Sequence, residues 1–272
     1  MARVRVTVCL PPTDGTDLRT RLATALAPFE VGVGRSWGRE QWDWWTIRGG
    51  SDRTGFWIAD GADEALLIHD DPYETEEASP SKPGRCAGGP KHLLDLGRPR
   101  LDAARHAAHA WDTWHRLAPS LPPVQTLAQI EQWPEHAEDD RLVLEPLRLP
   151  NTVGNIRAYQ AYLAQPLIRA AQEWPAWHEI ERGPEDFVYY MAMSRDDYID
   201  LAVGQTDRKS DILTPDGWWA SWDQRPVHGA CDAFETCTHT APIPDRTTPA
   251  ELTHYLEQLP DDTLLVQLKA HG

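Results

Sequence analysis

Apolar and polar positions alternate with period two from Arg3 to Leu10. Val4, Val6 and Val8 fall on one side and Arg5 and Thr7 on the other, which predicts a half-buried strand. After a Pro11-Pro-Thr-Asp-Gly15 turn the period lengthens. Asp17 is placed to cap a helix whose Leu18, Leu22 and Leu26 form one stripe, and Pro28 ends it. Residues 42–47 and 54–58 are aromatic and β-prone with turn residues between them, which predicts a hairpin. The stretch 73–90 is acidic and then rich in Pro, Gly and Ser, the composition of an exposed loop. Residues 101–118 are alanine-rich and helical, and 142–147 supply another strand, so the order is β-α-β-β-α-β.

The second half repeats that order. Residues 187–193 read as a strand, and Ser194-Arg-Asp-Asp197 resembles a capping box opening a short helix through Ala202. Residues 212–214 and 218–222 flank Pro215-Asp-Gly217, a second hairpin with its turn written into the chain. Thr248-Pro-Ala-Glu251 is a full capping box with proline at the first helical position, followed by Leu252, Tyr255, Leu256 and Leu259 on one stripe. Leu264, Val266 and Leu268 then alternate. The two successions predict an α+β protein of two ferredoxin-like β-α-β-β-α-β halves. The N-terminal half spans 1–150, a helical connector that Pro166 kinks or divides spans 151–182, and the C-terminal half spans 183–272. Their sheets are expected to face or abut one another.

Charge narrows the choice of partners. With 26 basic and 42 acidic side chains the formal charge is −16, a field that repels nucleic-acid backbone, and no dense basic stretch makes a local exception. An acidic surface can imitate nucleic acid toward a basic partner, but the charge is best read as solubility. Hydrophobic residues at 41%, thirteen tryptophans among them, are enough to fill a core. No run approaches the ~18 apolar residues of a membrane span, and the first residues do not build a signal-peptide core, so a cytoplasmic protein is expected. Four cysteines, Cys9, Cys86, Cys231 and Cys237, do not suggest a disulfide framework; thiols or a metal site are the alternatives.

Trp42-Asp-Trp-Trp-Thr-Ile-Arg-Gly-Gly50 resembles a Trp-Asp-Trp-(Tyr/Trp)-x-Ile-Gly-Gly motif found in an uncharacterised family of bacteriophage and actinobacterial proteins. Asp197-Tyr-Ile-Asp-Leu-Ala202, Thr214-Pro-Asp-Gly-Trp-Trp219 and Leu259-Pro-Asp-Asp-Thr-Leu-Leu265 agree with the resemblance, whereas Lys269-Ala-His271 stands where that family ends in an Asp-Cys-His-like tripeptide. The resemblance implies a phage or mobile-element context and carries no activity over.

Two constellations carry candidate chemistry. Trp42, Trp44, Arg48 and Gly49, with Trp219 from the second hairpin, combine aromatic faces, a guanidinium and a glycine-rich turn, a set suited to a flat anionic, nucleotide-like ligand held between the halves. The competing reading is that the tryptophans pack helices onto a sheet. His228, Cys231, Cys237 and His239 offer two imidazoles and two thiolates to zinc, with Asp232 or Glu235 as a neighbouring base. Four protein ligands would make such a zinc structural; three would leave a position for water. The competing reading is a flexible loop with incidental Cys and His.

Weaker signals are the stripe Asp102, His106, His109 and Thr113, opposite a face of Leu101, Ala104, Ala108 and Trp111 expected to be the buried one, and the acidic run His69-Asp-Asp71 with Glu74, Glu76 and Glu77; solvated surface explains both. The dinucleotide, Walker, nucleophile-elbow and His-Glu-x-x-His motifs are absent from the sequence. The first expectation is therefore a phage-type binding protein for a small anionic ligand or a partner protein. The alternatives are a zinc-dependent hydrolase and an acidic nucleic-acid mimic.

Overall fold

The computed structural model describes residues 3–12, 15–32, 41–51, 54–72, 82–131, 153–179, 187–207, 210–222, 224–231 and 237–271. The fold is α+β, and among the described residues no helix is long and apolar enough to cross a membrane. In chain order the strands are β1 Arg3–Leu10, β2 Trp44–Ile47, β3 Phe56–Ile58, β4 Arg85–Cys86, β5 Gly88–Pro90, β6 Leu94–Asp95, β7 Asp211–Leu213, β8 Trp218–Ala220, β9 Val227–His228 and β10 Leu264–His271. The helices are α1 Leu18–Leu26, α2 Arg98–Leu117, α3 Leu127–Glu131, α4 Val153–Ala164, α5 Pro166–Ala171, α6 Pro175–Glu179, α7 Phe187–Met191, α8 Arg195–Gly204 and α9 Pro249–Gln258.

The compact units do not coincide with the expected halves. Met1–Arg98 and Asp207–Gly272 form one unit, and Pro99–Thr206 forms the other. The reason is visible in the first unit. β1 and β10, the two longest strands, pair antiparallel along their whole length from Arg3↔His271 to Leu10↔Leu264, so the two ends of the chain share one sheet. That seven-stranded sheet runs β2-β10-β1-β7-β8-β9, with β5 also on β10, and β7 lies parallel to β1.

Period two decides how the sheet is covered. Val6, Val8, Leu10, Val266, Leu268 and Leu213 pack with Leu22 and Leu26 of α1, Phe29 and Trp42. Cys9, Leu265, Ile212 and Ala220, which alternate with them, pack instead with Leu252 and Leu256 of α9 and with Phe56, Cys86 and Leu94 of the small sheet β4-β3-β6. Thr7 on β1 and Gln267 on β10 are fully buried polar residues, and they are hydrogen-bonded to one another. Thr7 Oγ1 donates to Gln267 Oε1 at 3.1 Å, while Gln267 Nε2 donates to the Val6 carbonyl at 3.1 Å.

Several local expectations hold. Asp17 caps α1, Ser194 caps α8, Thr248 and Glu251 close a reciprocal capping box on α9, and Pro166 divides the connector by opening α5. β7 and β8 form the expected hairpin. Other expectations are corrected. The segments 42–47 and 54–58 do not pair: β2 joins β10, and β3 joins β4 and β6. The loop 73–90 contains β4 and β5 in its later part, while 142–147 lies outside the described residues.

Residues 187–193 carry a helix, α7, in place of the expected strand. Phe187, Tyr190 and Met191 all reach the core of the second unit, and only a helical period puts them on one side; in a strand Tyr190 would face away from the other two. Trp114, Trp174 and Trp177 surround the Phe187 ring at 5.7, 6.2 and 5.1 Å. The buried stripe of α2 is also rotated from the expected one. It is Ala103, Ala107, Ala110 and Trp114, whereas Leu101 is exposed.

Candidate metal centre

The His/Cys cluster is built on the β8–β9 hairpin. Gly217 takes φ +87° in the Pro215-Asp-Gly217 turn, a conformation glycine adopts without penalty. The Gly229 N–H donates to the Gly217 carbonyl at 2.9 Å and closes the hairpin beyond β9. His228 is thereby fixed at the end of an edge strand, opposite Trp218, whose ring meets it edge-on at 5.0 Å.

Hydrogen bonds select the His228 tautomer. Nε2 lies 3.0 Å from the Asp216 carbonyl, which can only accept, so Nε2 carries the proton. Nδ1 consequently presents its lone pair, and the Ala230 N–H faces it at 3.2 Å. A backbone carbonyl holding one imidazole nitrogen is the orientation metal-binding histidines use, and ligation through Nδ1 would displace the Ala230 N–H from its lone pair.

The other three donors converge on that side. Cys231 Sγ is 3.8 Å from His228 Nδ1, 3.2 Å from His239 Nδ1 and 3.0 Å from Cys237 Sγ. Cys237 Sγ is 3.8 Å from His239 Nδ1. The two imidazoles stack at 3.7 Å with planes 17° apart. Zn–S and Zn–N bonds at tetrahedral angles would place two sulfurs about 3.8 Å apart and a sulfur and a nitrogen about 3.5 Å apart. The three sulfur–nitrogen separations, 3.2–3.8 Å, straddle the tetrahedral value, whereas the sulfur pair at 3.0 Å would have to open by about 0.8 Å, and Cys237 stands outside the group whose ligand atoms all lie within 4.8 Å of one another. His228 is buried, the two cysteines are half-buried and His239 is exposed, which leaves the cluster open to solvent on one side. Asp232 and Glu235 lie outside the described residues.

The tryptophan constellation has a different fate. Trp42 is buried and its Nε1–H donates to the Leu26 carbonyl at 3.0 Å, locking the end of α1. Trp44 is exposed, and Trp45 lies under the Arg19 guanidinium at 5.7 Å. Trp219 is buried against Phe29, ring centres 5.4 Å apart. These rings pack α1 and the following turn onto the sheet, so the packing reading replaces that of a ligand cavity lined by Trp42 and Trp219.

The anion nest at Arg48 and Gly49 does form, and the protein supplies its own anion. Asp70 accepts from the Gly49 and Gly50 N–H groups at 2.9 and 2.7 Å, and from the Ser51 N–H and Oγ at 3.0 and 2.5 Å. Arg48 Nε is 3.7 Å away. Its neighbour Asp71 holds the Ile47 N–H at 2.8 Å and thus covers the edge of β2. The run 69–71, read from sequence as solvated, is therefore internal at both aspartates. The pattern carried no sign of this, because the partners lie about twenty residues apart. Asp70→Ala is expected to strip the acceptor from three backbone donors at once, destabilising the chain by about 2–4 kcal/mol. Urea unfolding with and without sulfate checks it: sulfate stabilises folded proteins in general, and it should raise the variant's stability by more than the parent's.

Trp219 also bears on a buried carboxylate. Its Nε1–H donates to Asp211 Oδ2 at 3.0 Å. Burial pushes the Asp211 carboxyl up from its ordinary 3.8 to about 6, against the opposing hydrogen bonds from Ser221 and Trp219. Folded Asp211 holds its proton more tightly than the unfolded chain does, so this contribution to stability is complete below pH 3.8 and is lost as pH rises to about 6. Asp211→Asn is expected to remove that loss. Above neutrality the variant should be more stable than the parent by about 3 kcal/mol, with the advantage vanishing toward the ordinary carboxyl pKa, as read from urea midpoints across pH.

The helical stripe on α2 is separated in role. His106 Nδ1 pairs with Glu179 at 2.8 Å, Asp102 pairs with Arg105 at 3.8 Å, Thr113 is buried and His109 is exposed. Among the described residues, His228, Cys231 and His239 form the group whose ligand atoms all lie within 4.8 Å of one another. No protein-family model, curated protein or solved structure matches the chain.

Proposed function

We propose that the protein is a zinc-binding protein in which His228, Cys231, Cys237 and His239 close one tetrahedral site at the end of the β8–β9 hairpin. The observation that carries this reading is that Cys231 Sγ lies 3.0–3.8 Å from a soft or borderline donor atom of each of the other three residues, with the first imidazole already held in the ligating tautomer. Four protein ligands fill the coordination sphere. The metal then ties the segment after β9 back onto the sheet edge, and its role is structural. Nothing in this reading depends on a cavity between two halves; the acidic surface and the exposed Trp44 and Trp222 rings leave a protein partner, rather than a nucleotide, as the binding role beside it.

One observation favours a second reading. The tightest group holds three ligands, His228, Cys231 and His239. If Cys237 stays outside, the zinc keeps a position for water, as a hydrolase requires. Metal analysis of the purified chain, followed by cobalt substitution, separates the readings. Closed coordination predicts one equivalent of zinc, tetrahedral cobalt bands, and loss of one thiolate-to-cobalt charge-transfer component in Cys237→Ser. The open site predicts a Cys237→Ser spectrum like that of the parent. A chain that takes up neither metal overturns both.

A further inference from the structure

The sulfur pair holds a second possibility beyond coordination. Cys231 Sγ and Cys237 Sγ are 3.0 Å apart across a separation of six residues. A disulfide bond is about 2.05 Å, so about one ångström of approach joins them. Both cysteines are half-buried and lie between β9 and α9. Cys9 and Cys86 are buried in the core between the sheet and α9. The chain therefore divides its thiols into a shielded pair and an accessible, adjacent pair.

The geometry points to a peroxide-sensitive switch at this pair: oxidation joins Cys231 to Cys237 and expels the zinc. The inference rests on the zinc reading above. Zinc holds both sulfurs as thiolates, the form that attacks an oxidant. One thiolate displaces hydroxide from hydrogen peroxide, breaking the O–O bond and forming a sulfenic acid. The second thiolate attacks that sulfur, the S–S bond forms and a second hydroxide leaves. Two thiolates lose one electron each, peroxide gains both, and two protons from solvent convert the hydroxides to water. The metal remains Zn²⁺ throughout. It loses two of its four ligands and departs, since the stacked imidazoles alone make a poor site. A dithiol reductant reverses the step by returning both electrons.

The test uses the intact, zinc-loaded chain exposed to hydrogen peroxide with a chromogenic zinc chelator present, followed by peptide mapping under non-reducing conditions. The expected result is stoichiometric zinc release together with a Cys231–Cys237 cross-link, both undone by a dithiol and added zinc. Zinc that stays bound under peroxide overturns the switch and leaves the zinc reading standing. So does release accompanied only by sulfinic or sulfonic acids at these cysteines, or by a cross-link to Cys9 or Cys86. A chain that never takes up zinc overturns the zinc reading, and the switch falls with it.

Discussion

Cys231→Ser is expected to weaken zinc binding by about 100-fold and to lower the melting temperature of the metal-loaded protein while leaving the metal-free protein unchanged. The size follows from sharing the ~12 kcal/mol typical of a structural zinc over four ligands, which gives about 3 kcal/mol for each, or about two decades in dissociation constant. Cys231 is the sharpest choice because its sulfur is the one that neighbours all three other donors, at 3.8, 3.0 and 3.2 Å. The same loss returns as stability, since a ligand bound 100-fold more weakly protects the fold by about 3 kcal/mol less at saturating parent conditions. His228→Ala should behave differently. It removes a ligand and also the bond to the Asp216 carbonyl and the contact with Trp218, so both metal-free and metal-loaded forms should be destabilised. Competition titration against a chelator of known affinity, paired with thermal melts with and without that chelator, measures both halves. Equal zinc affinity in Cys231→Ser and the parent would refute the assignment of this sulfur.

Gly88→Ala is expected to be severely damaging to the sheet unit. A Cβ at Gly88 would lie 2.1 Å from the Leu265 carbonyl oxygen and 3.0 Å from the Val266 Cα. Both are backbone atoms of β10, the strand that carries β1, β2 and β5 together, so no side-chain rotation relieves the clash. Either β5 leaves β10, breaking the Leu264↔Pro90 to Val266↔Gly88 pairing, or the central strand bends. A cost above about 3 kcal/mol follows, against a total stability of about 5–15 kcal/mol for a domain of ordinary size. Gly204→Ala is the matched control. Its Cβ meets nothing within 4 Å at the end of α8, and it should be neutral or stabilising by up to about 1 kcal/mol. Urea midpoints of the two variants compare the effects directly.

How far the pattern carried can be read from particular elements. The alternation in β1 and β10, the caps at Asp17, Ser194 and Thr248, the Pro215-Asp-Gly217 hairpin and the break at Pro166 all stand as expected, because each is decided by residues within a few positions of one another. The donor set of the candidate metal centre was visible for the same reason: one short segment supplies all four side chains. The turn at Arg48 and Gly49 was also recognised as a nest for an anion. Its occupant was not, since Asp70 reaches it from a distant part of the chain. α7 was misread because its aromatic residues favour strands when alone, whereas a helix brings Phe187, Tyr190 and Met191 to one aromatic core.

By itself, then, the sequence determined the local grammar of this protein: which segments alternate, where helices begin, and which soft ligands stand close together in the chain. Tertiary structure alone decided that the chain's two ends share a sheet, that Trp42 and Trp219 are packing rather than a ligand wall, and that Asp70 fills the Arg48 nest. The division has a physical cause. Caps, turns and periodicity are set by short-range sterics and hydrogen bonds, whereas pairing across some 260 residues is chosen by the apolar surface it buries on both faces of the sheet, a sum over the whole fold that no local window contains.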